Sequence, residues 1–331
     1  MSTYKRGETL TKTLRSIQLQ TFANFEVIIT DNDEEQSGKP FVAVLNDPRF
    51  KYFPNNQNMG MKPSFNRALS LASGKFIVMI ADDDPVYPFM LETLVRLKDE
   101  YPGYGMYMGG CDWFCEAHEI ARLYKMKVGT NSCLSNNMDL SEIKVYSSSS
   151  FLKILFTFGL FTHFLWSTCI VKKELLLKMG GVPDYGTAFL GDYAYMSISC
   201  MDQGCVIINK SLGQQTLHKE NFGRTQNEQL PVLMRNFIPF LSDRLNSVSD
   251  WPEIKVYITR FLGSWITGHM AFLYYYNKEN SIADQSFYSM EKEVLKYPEV
   301  KPFLKKYHIK KRFPQLHDNI VLLKALFRKK T

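Results

Sequence analysis

Two short apolar runs, residues 25–30 (FEVIIT) and 76–80 (FIVMI), each lead into acidic residues, and helix-patterned stretches separate them. β-rich runs alternating with helical periodicity are the signature of stacked βαβ units and a largely parallel sheet. Weaker strand patterns lie at 167–171 and 205–209, and helix patterns at 8–19, 63–72, 88–97 and 192–201. The pattern predicts an α/β fold with a mostly parallel central sheet. In open α/β sheets the ligand crevice lies beyond the carboxyl ends of the strands, so carboxylates there are placed for chemistry rather than packing.

From about residue 230 the strand signal fades and helical periodicity takes over, through 231–245, 254–276 and 319–328. The expected organisation is a catalytic domain at 1–228 followed by a helical, basic region at 229–331. Of the 331 residues 45% are hydrophobic, ample for a sizeable core. The net charge of +7 is unevenly placed: residues 1–229 carry 23 Lys and Arg against 24 Asp and Glu, whereas 230–331 carry 17 against 9. Basic residues confined to a tail, without interleaved base-stacking aromatics, argue against nucleic acid as a partner.

Residues 301–331 hold ten basic residues and one acid, with Ile320, Leu323 and Phe327 on one helix face. Such a tail suits peripheral docking on an anionic membrane surface; a solvated basic helix is the other reading. Two apolar stretches, 151–171 and 256–276, contain Lys153 and His163, and Arg260 and His269, respectively. Charge near the middle of a membrane span is costly, so both are expected to be buried core segments. The six cysteines, Cys111, Cys115, Cys133, Cys169, Cys200 and Cys205, have neither zinc spacing nor the density of a disulfide framework. With no secretory signal at the start, the expectation is a cytoplasmic protein, placed by its tail at the inner face of the cell membrane.

Asp82, Asp83 and Asp84 follow the 76–80 run directly after Ala81. Adjacent carboxylates near 4 Å apart repel by about 4 kcal/mol per pair at an effective dielectric of 20. A cation relieves that repulsion, and hard oxygen ligands on a short turn suit Mg²⁺ or Mn²⁺ held jointly with substrate phosphates. An acidic cap on the next helix is the competing reading. Asp31 and Asn32 close the first run, where an ordinary Asx turn competes with contact to a base edge. Gly191 and Asp192 open a helix pattern, where an N-cap competes with a general base of raised pKa.

The order of these elements resembles glycosyltransferase family 2 over roughly residues 1–220. The resemblance rests on Ser2-Thr3-Tyr4-Lys5-Arg6-Gly7, Ser16-Ile17, Gln20-Thr21-Phe22 and Phe25-Glu26-Val27-Ile28. It continues through Asn58 and Gly60, Asn66-Arg67-Ala68-Leu69, Ala72-Ser73-Gly74-Lys75-Phe76, the acidic triplet, Gly180-Gly181-Val182 and Gly191-Asp192. The pattern is similar to that of the spore-coat polysaccharide glycosyltransferase type. It implies the GT-A nucleotide-diphospho-sugar transferase fold and transfer of a sugar from a nucleotide-diphosphate donor to an acceptor hydroxyl, with inversion.

The resemblance also implies roles. Tyr4 stacks on the nucleobase with Ser2, Thr3 and Arg6 nearby; Asp31 and Asn32 contact the base; Asp82 holds the ribose. Lys62 faces the diphosphate, Asp83 binds the metal, Asp84 supports its shell, His218 adds a metal or phosphate contact, and Asp192 is the base. An aspartate is usual where Asn32 stands, and many relatives carry an acid in place of Ala81. The implied partners are a UDP-, dTDP- or GDP-sugar and a glycan or lipid-linked acceptor. Family members begin with a hydrophobic strand where only Met1 stands here, so the expectation is a start several residues upstream or a defective copy. A sugar-nucleotide nucleotidyltransferase and a catalytically inactive GT-A-like binding protein are the alternatives. The single glycine between Ser2 and Gly7 speaks against the former.

Overall fold

The computed structural model describes residues 1–124, 126–132, 142–157, 163–218, 226–279 and 285–313. The chain divides into two compact units. The first comprises Met1–Asp184, Leu190–Lys219 and Leu241–Trp251; the second comprises Tyr185–Phe189, Glu220–Phe240 and Pro252–Thr331.

In chain order the first unit contains β1 (Ser2–Thr3), α1 (Gly7–Gln18), β2 (Val27–Asp31), α2 (Lys39–Ala43), β3 (Phe50–Pro54), α3 (Met61–Leu71), β4 (Phe76–Ile77) and α4 (Met90–Glu100). It continues with β5 (Met106–Cys115), α5 (His118–Tyr124), β6 (Gly129–Asn131), β7 (Ile143–Tyr146), α6 (Ser148–Leu155), β8 (Cys169–Lys172), α7 (Lys173–Lys178), α8 (Gly191–Ser199) and β9 (Cys205–Leu217). The expected parallel pairing is found in a three-stranded sheet, β1-β2-β3. A second sheet runs β4-β8-β5-β9-β7, with β6 beside β5. It is mixed: β5 and β9 are parallel and the other pairs antiparallel.

Leu10, Leu14 and Ile17 recur at helical spacing on α1, and Met90, Leu94 and Leu97 do so on α4. Both stripes enter one core with Val27, Ile29, Tyr107 and Val206 from the strands. Each such aliphatic side chain contributes about 2 kcal/mol by leaving water. This packing fixes where the carboxyl ends of β2 and β4 point.

The 76–80 run is strand only at Phe76–Ile77, where β8 supplies a partner; residues 78–80 leave the ladder. Strand β5 is unannounced in the sequence because Gly109 and Gly110 interrupt its apolar pattern. They sit at the register shift against β9, and a Cβ on Gly109 would stand 2.5 Å from Leu212 Cδ1. The backbones approach so closely there that only glycine fits.

The helix-rich second unit holds most of α9 (Leu230–Leu245) and of α10 (Trp251–Glu279), followed by α11 (Gln285–Val294) and α12 (Leu304–Arg312). Residues 256–276 lie inside α10, and no described helix is long and apolar enough to cross a membrane. Cys111, Cys115, Cys169, Cys200 and Cys205 are buried and unbridged. Cys133, the helix expected at 319–328 and most of the basic tail lie outside the described residues.

Candidate functional site

Strand β1 links the two acidic segments. Its pairing with β2 puts Thr3 opposite Asp31, and the Asn32 amide donates to the Thr3 carbonyl at 2.9 Å. The Thr3 hydroxyl donates to Asp82 Oδ2 at 2.7 Å, and that of Thr13, on α1, donates to the Asp82 carbonyl at 3.1 Å. A strand end and a turn 79 residues apart are thereby joined, a contact that no local signal announces. Ser2 is buried, whereas Tyr4 is 45% exposed, its ring 5.5 Å from Lys5 Nζ.

Asp31 is fully buried and accepts three bonds: from the Asp33 amide (2.9 Å), the Gly38 amide (2.9 Å) and the Tyr52 hydroxyl (2.7 Å). Asn32 donates to the Gly60 carbonyl at 3.0 Å and accepts from Asn55 at 2.7 Å. Both side chains therefore brace the loops after β2 and β3. Gly60 takes a φ of 86° just before α3, a conformation glycine adopts without strain. Lys62, on the first turn, is buried with Nζ 3.5 Å from the half-exposed Asp184. Burial pushes the Lys62 amine down, and Asp184 partly restores it.

In the acidic turn, Asp83 Oδ2 lies 3.0 Å from His218 Nε2 and 3.9 Å from an Arg6 guanidinium nitrogen. Asp84 Oδ1 accepts the Thr216 amide at 3.0 Å, so β9 positions both Asp84 and, just past its end, His218. Burial, then the neighbouring Asp83, raises Asp82 to about 6. Burial raises Asp84 well above the usual carboxylate range, with Asp83, Asp192 and Asp82 adding to the effect.

Asp192 stands on the first turn of α8, after Leu190 with a left-handed φ of 59°. Its Oδ1 accepts the Trp166 amide at 2.9 Å, and burial raises it to about 6. Trp166 was not foreseen, because it lies 26 residues away on a segment without a motif.

Among the described residues no group of three His, Cys, Asp or Glu side chains is arranged to hold a metal unaided. Asp83 and His218 nevertheless supply an oxygen and a nitrogen 3.0 Å apart. Mg²⁺ and Mn²⁺ sites use one or two protein ligands and complete the shell with water and substrate phosphate. Burial raises Asp82 and Asp84 first and the neighbouring Asp83 adds to it; a divalent ion would offset that like-charge part. The donor set fits such an ion, with Asp84 behind it on the Thr216 amide.

Two sheets flanked by helices, with the end of β2, the acidic turn after β4 and the end of β9 joined through Thr3, Thr216 and His218, form a GT-A, nucleotide-sugar-transferase-like fold. Residues 1–174 match the model of glycosyl transferase family 2, and the chain belongs to that family. It is similar to the GalNAc(5)-diNAcBac-PP-undecaprenol beta-1,3-glucosyltransferase of Campylobacter jejuni, at 36% identity over 112 residues, covering 33% of this chain and 36% of that protein. The chain thus matches about a third of that relative's length. Among solved structures, TarS 1-349 of S. aureus in complex with UDP-GlcNAc covers the whole chain and 90% of its own, at TM-score 0.57 and 15% identity. The mannosyltransferase PcManGT of Pyrobaculum calidifontis, in complex with GDP-Man and Mn²⁺, covers 95% of this chain and 86% of its own, at TM-score 0.51 and 13% identity. At these identities the structural likeness is one of fold.

Proposed function

We propose that the protein transfers a sugar from a nucleotide-diphosphate donor to an acceptor hydroxyl with inversion at the anomeric carbon, in the assembly of a surface glycan. The observation that carries this reading is Asp192: a carboxylate held by the Trp166 amide, raised to about 6, within electrostatic reach of the acidic turn. A base titrating near 6 is ionised at neutral pH yet still basic enough to take a hydroxyl proton as the glycosidic bond forms.

Each remaining residue has a task that follows from its place. The exposed Tyr4 ring stacks on the nucleobase, with Ser2, Thr3 and Arg6 shaping that end of the crevice. Asp31 and Asn32 hold the base-side loop, and Asp82, fixed by Thr3, faces the ribose. Asp83 and His218 hold Mn²⁺ or Mg²⁺, which supplies charge neutralisation at the diphosphate when bound. Lys62 adds a buried cation on the diphosphate side. The name of the Campylobacter jejuni relative supports a lipid-linked glycan as acceptor. Contact of the basic tail with a membrane surface would keep the protein near such an acceptor.

The test is nucleoside diphosphate release from UDP-, dTDP- and GDP-sugars, with donor binding followed by calorimetry with and without Mn²⁺. One donor class should bind in a metal-dependent manner, and Asp83→Ala should abolish the metal dependence. Absence of binding and release for every donor, or binding indifferent to both metal and Asp83, overturns the reading.

A further inference from the structure

Helix α3 turns one face toward Trp166 and the loop at 181–184. Lys62, Phe65 and Asn66 stand at i, i+3 and i+4 on it, which makes them neighbours on the helix surface. Asn66 grips Val182 at both backbone groups: its Oδ1 accepts the Val182 amide at 2.8 Å, and its Nδ2 donates to the Val182 carbonyl at 3.4 Å. The side-chain amide packs so closely on Gly181 that a Cβ there would overlap Oδ1. The Phe65 ring centroid lies 5.6 Å from that of Trp166, whose backbone amide holds Asp192. Two residues past Val182, Asp184 meets Lys62. The Asn66 clamp therefore sets where the Asp184 carboxylate stands, one helical turn from the ammonium it faces.

This ion pair contrasts with Lys51–Glu26 and Lys178–Asp202. Those close at 2.8 and 2.6 Å, with the lysine side chains 51 and 66% exposed. At Lys62 the cation is the buried partner, 8% exposed against 54% for Asp184, and the separation is 3.5 Å. A charge-assisted hydrogen bond is shorter, at about 2.7–2.9 Å, so the pair is loose. Burial favours the uncharged amine, and a nearby carboxylate opposes that, which is the balance found at Lys62. Because Asp184 half faces water, solvent shares its charge, and the carboxylate sustains the cation without fully neutralising it. A cation kept in that condition suits an anionic ligand.

Given the nucleotide-sugar reading of the site, we infer that Asp184 is a positioning residue for donor binding: through its pair with Lys62 it holds that ammonium, on the first turn of α3, for the donor's diphosphate. Asp184 acts through Lys62 and makes no contact with the donor. Plain charge counting gives the opposite sign, since removing an acid near an anion site strengthens anion binding. The two accounts are therefore separable by one substitution.

The experiment measures calorimetric binding of UDP, dTDP and GDP with Mn²⁺, together with donor KM and kcat. It compares wild type, Asp184→Asn, Asp184→Glu, Lys62→Met and the double variant Asp184→Asn/Lys62→Met. Asp184→Asn should weaken binding of the preferred nucleoside diphosphate and raise donor KM about tenfold, with kcat within about twofold of wild type. Asp184→Glu should recover most of the loss. In the Lys62→Met background, Asp184→Asn should change binding by less than about twofold, because the group it acts through is gone. Asp184→Ser carries the same test should the Asn amide disturb the loop. Binding by Asp184→Asn as tight as wild type or tighter overturns the inference, and so does an equal loss in both backgrounds. A wild type that binds none of the three nucleoside diphosphates removes the donor reading and this role with it. A wild type that binds one of them, matched by Asp184→Asn, removes the role of Asp184 alone.

Discussion

Replacing Asp192 with Asn should stabilise the protein and silence it at once. The carboxyl rises from its ordinary 3.8 to about 6 on burial, a difference worth about 3 kcal/mol. The sign follows from proton binding: between 3.8 and about 6 the native state holds a proton that the unfolded chain has lost. Stability is therefore greatest below about 4, declines as pH rises through 6, and stays reduced above it. Asn carries no charge, and its carbonyl oxygen keeps the Trp166 amide bond. At pH 7.5 and without ligands the variant should unfold about 5 °C above wild type, with the gap closing below pH 4. Loss of a general base should lower kcat about 10² to 10⁴-fold, while donor affinity changes little. Wild-type kcat/KM should fall about tenfold per unit below pH 6. Thermal melts across pH 4 to 8, paired with nucleoside diphosphate release, read both effects. A variant that is no more stable, or one that retains turnover, refutes the role of Asp192.

Lys62→Met keeps an apolar stem in the buried site and leaves Asp184, 54% exposed, in contact with water. Stability should change by under about 1 kcal/mol in urea titrations, while kcat/KM for the donor falls about 10 to 100-fold through loss of a charge-assisted contact. Gly109→Val sets new methyls against Leu212 and the Lys210 carbonyl, already 2.5 and 2.8 Å from a bare Cβ. It should cost about 1 to 3 kcal/mol or more by overpacking, seen as a lower urea midpoint.

The carboxylates were legible because their positions follow from local rules. A β-rich run that ends in acids brings those acids to the end of a strand or to the turn beyond it: Asp31 closes β2, and the 82–84 triplet lies in the turn after β4. The helices at α1, α3, α4 and α8 were readable from their periodicity and opening residues for the same reason. Strand β5 was hidden because its glycines answer to a partner, β9, about a hundred residues further on. The end of the 76–80 ladder likewise depends on whether a neighbouring strand exists, which the run itself cannot encode.

By itself the sequence determined the kinds of chemical group available and the ends of the elements that carry them, since propensity and side-chain charge act over a few residues. Tertiary structure alone decided their partners: Thr3 on Asp82, Thr216 on Asp84, His218 on Asp83 and Trp166 on Asp192. It also decided the larger part of the acidity of Asp82 and Asp192, because desolvation is set by what packs around a carboxyl.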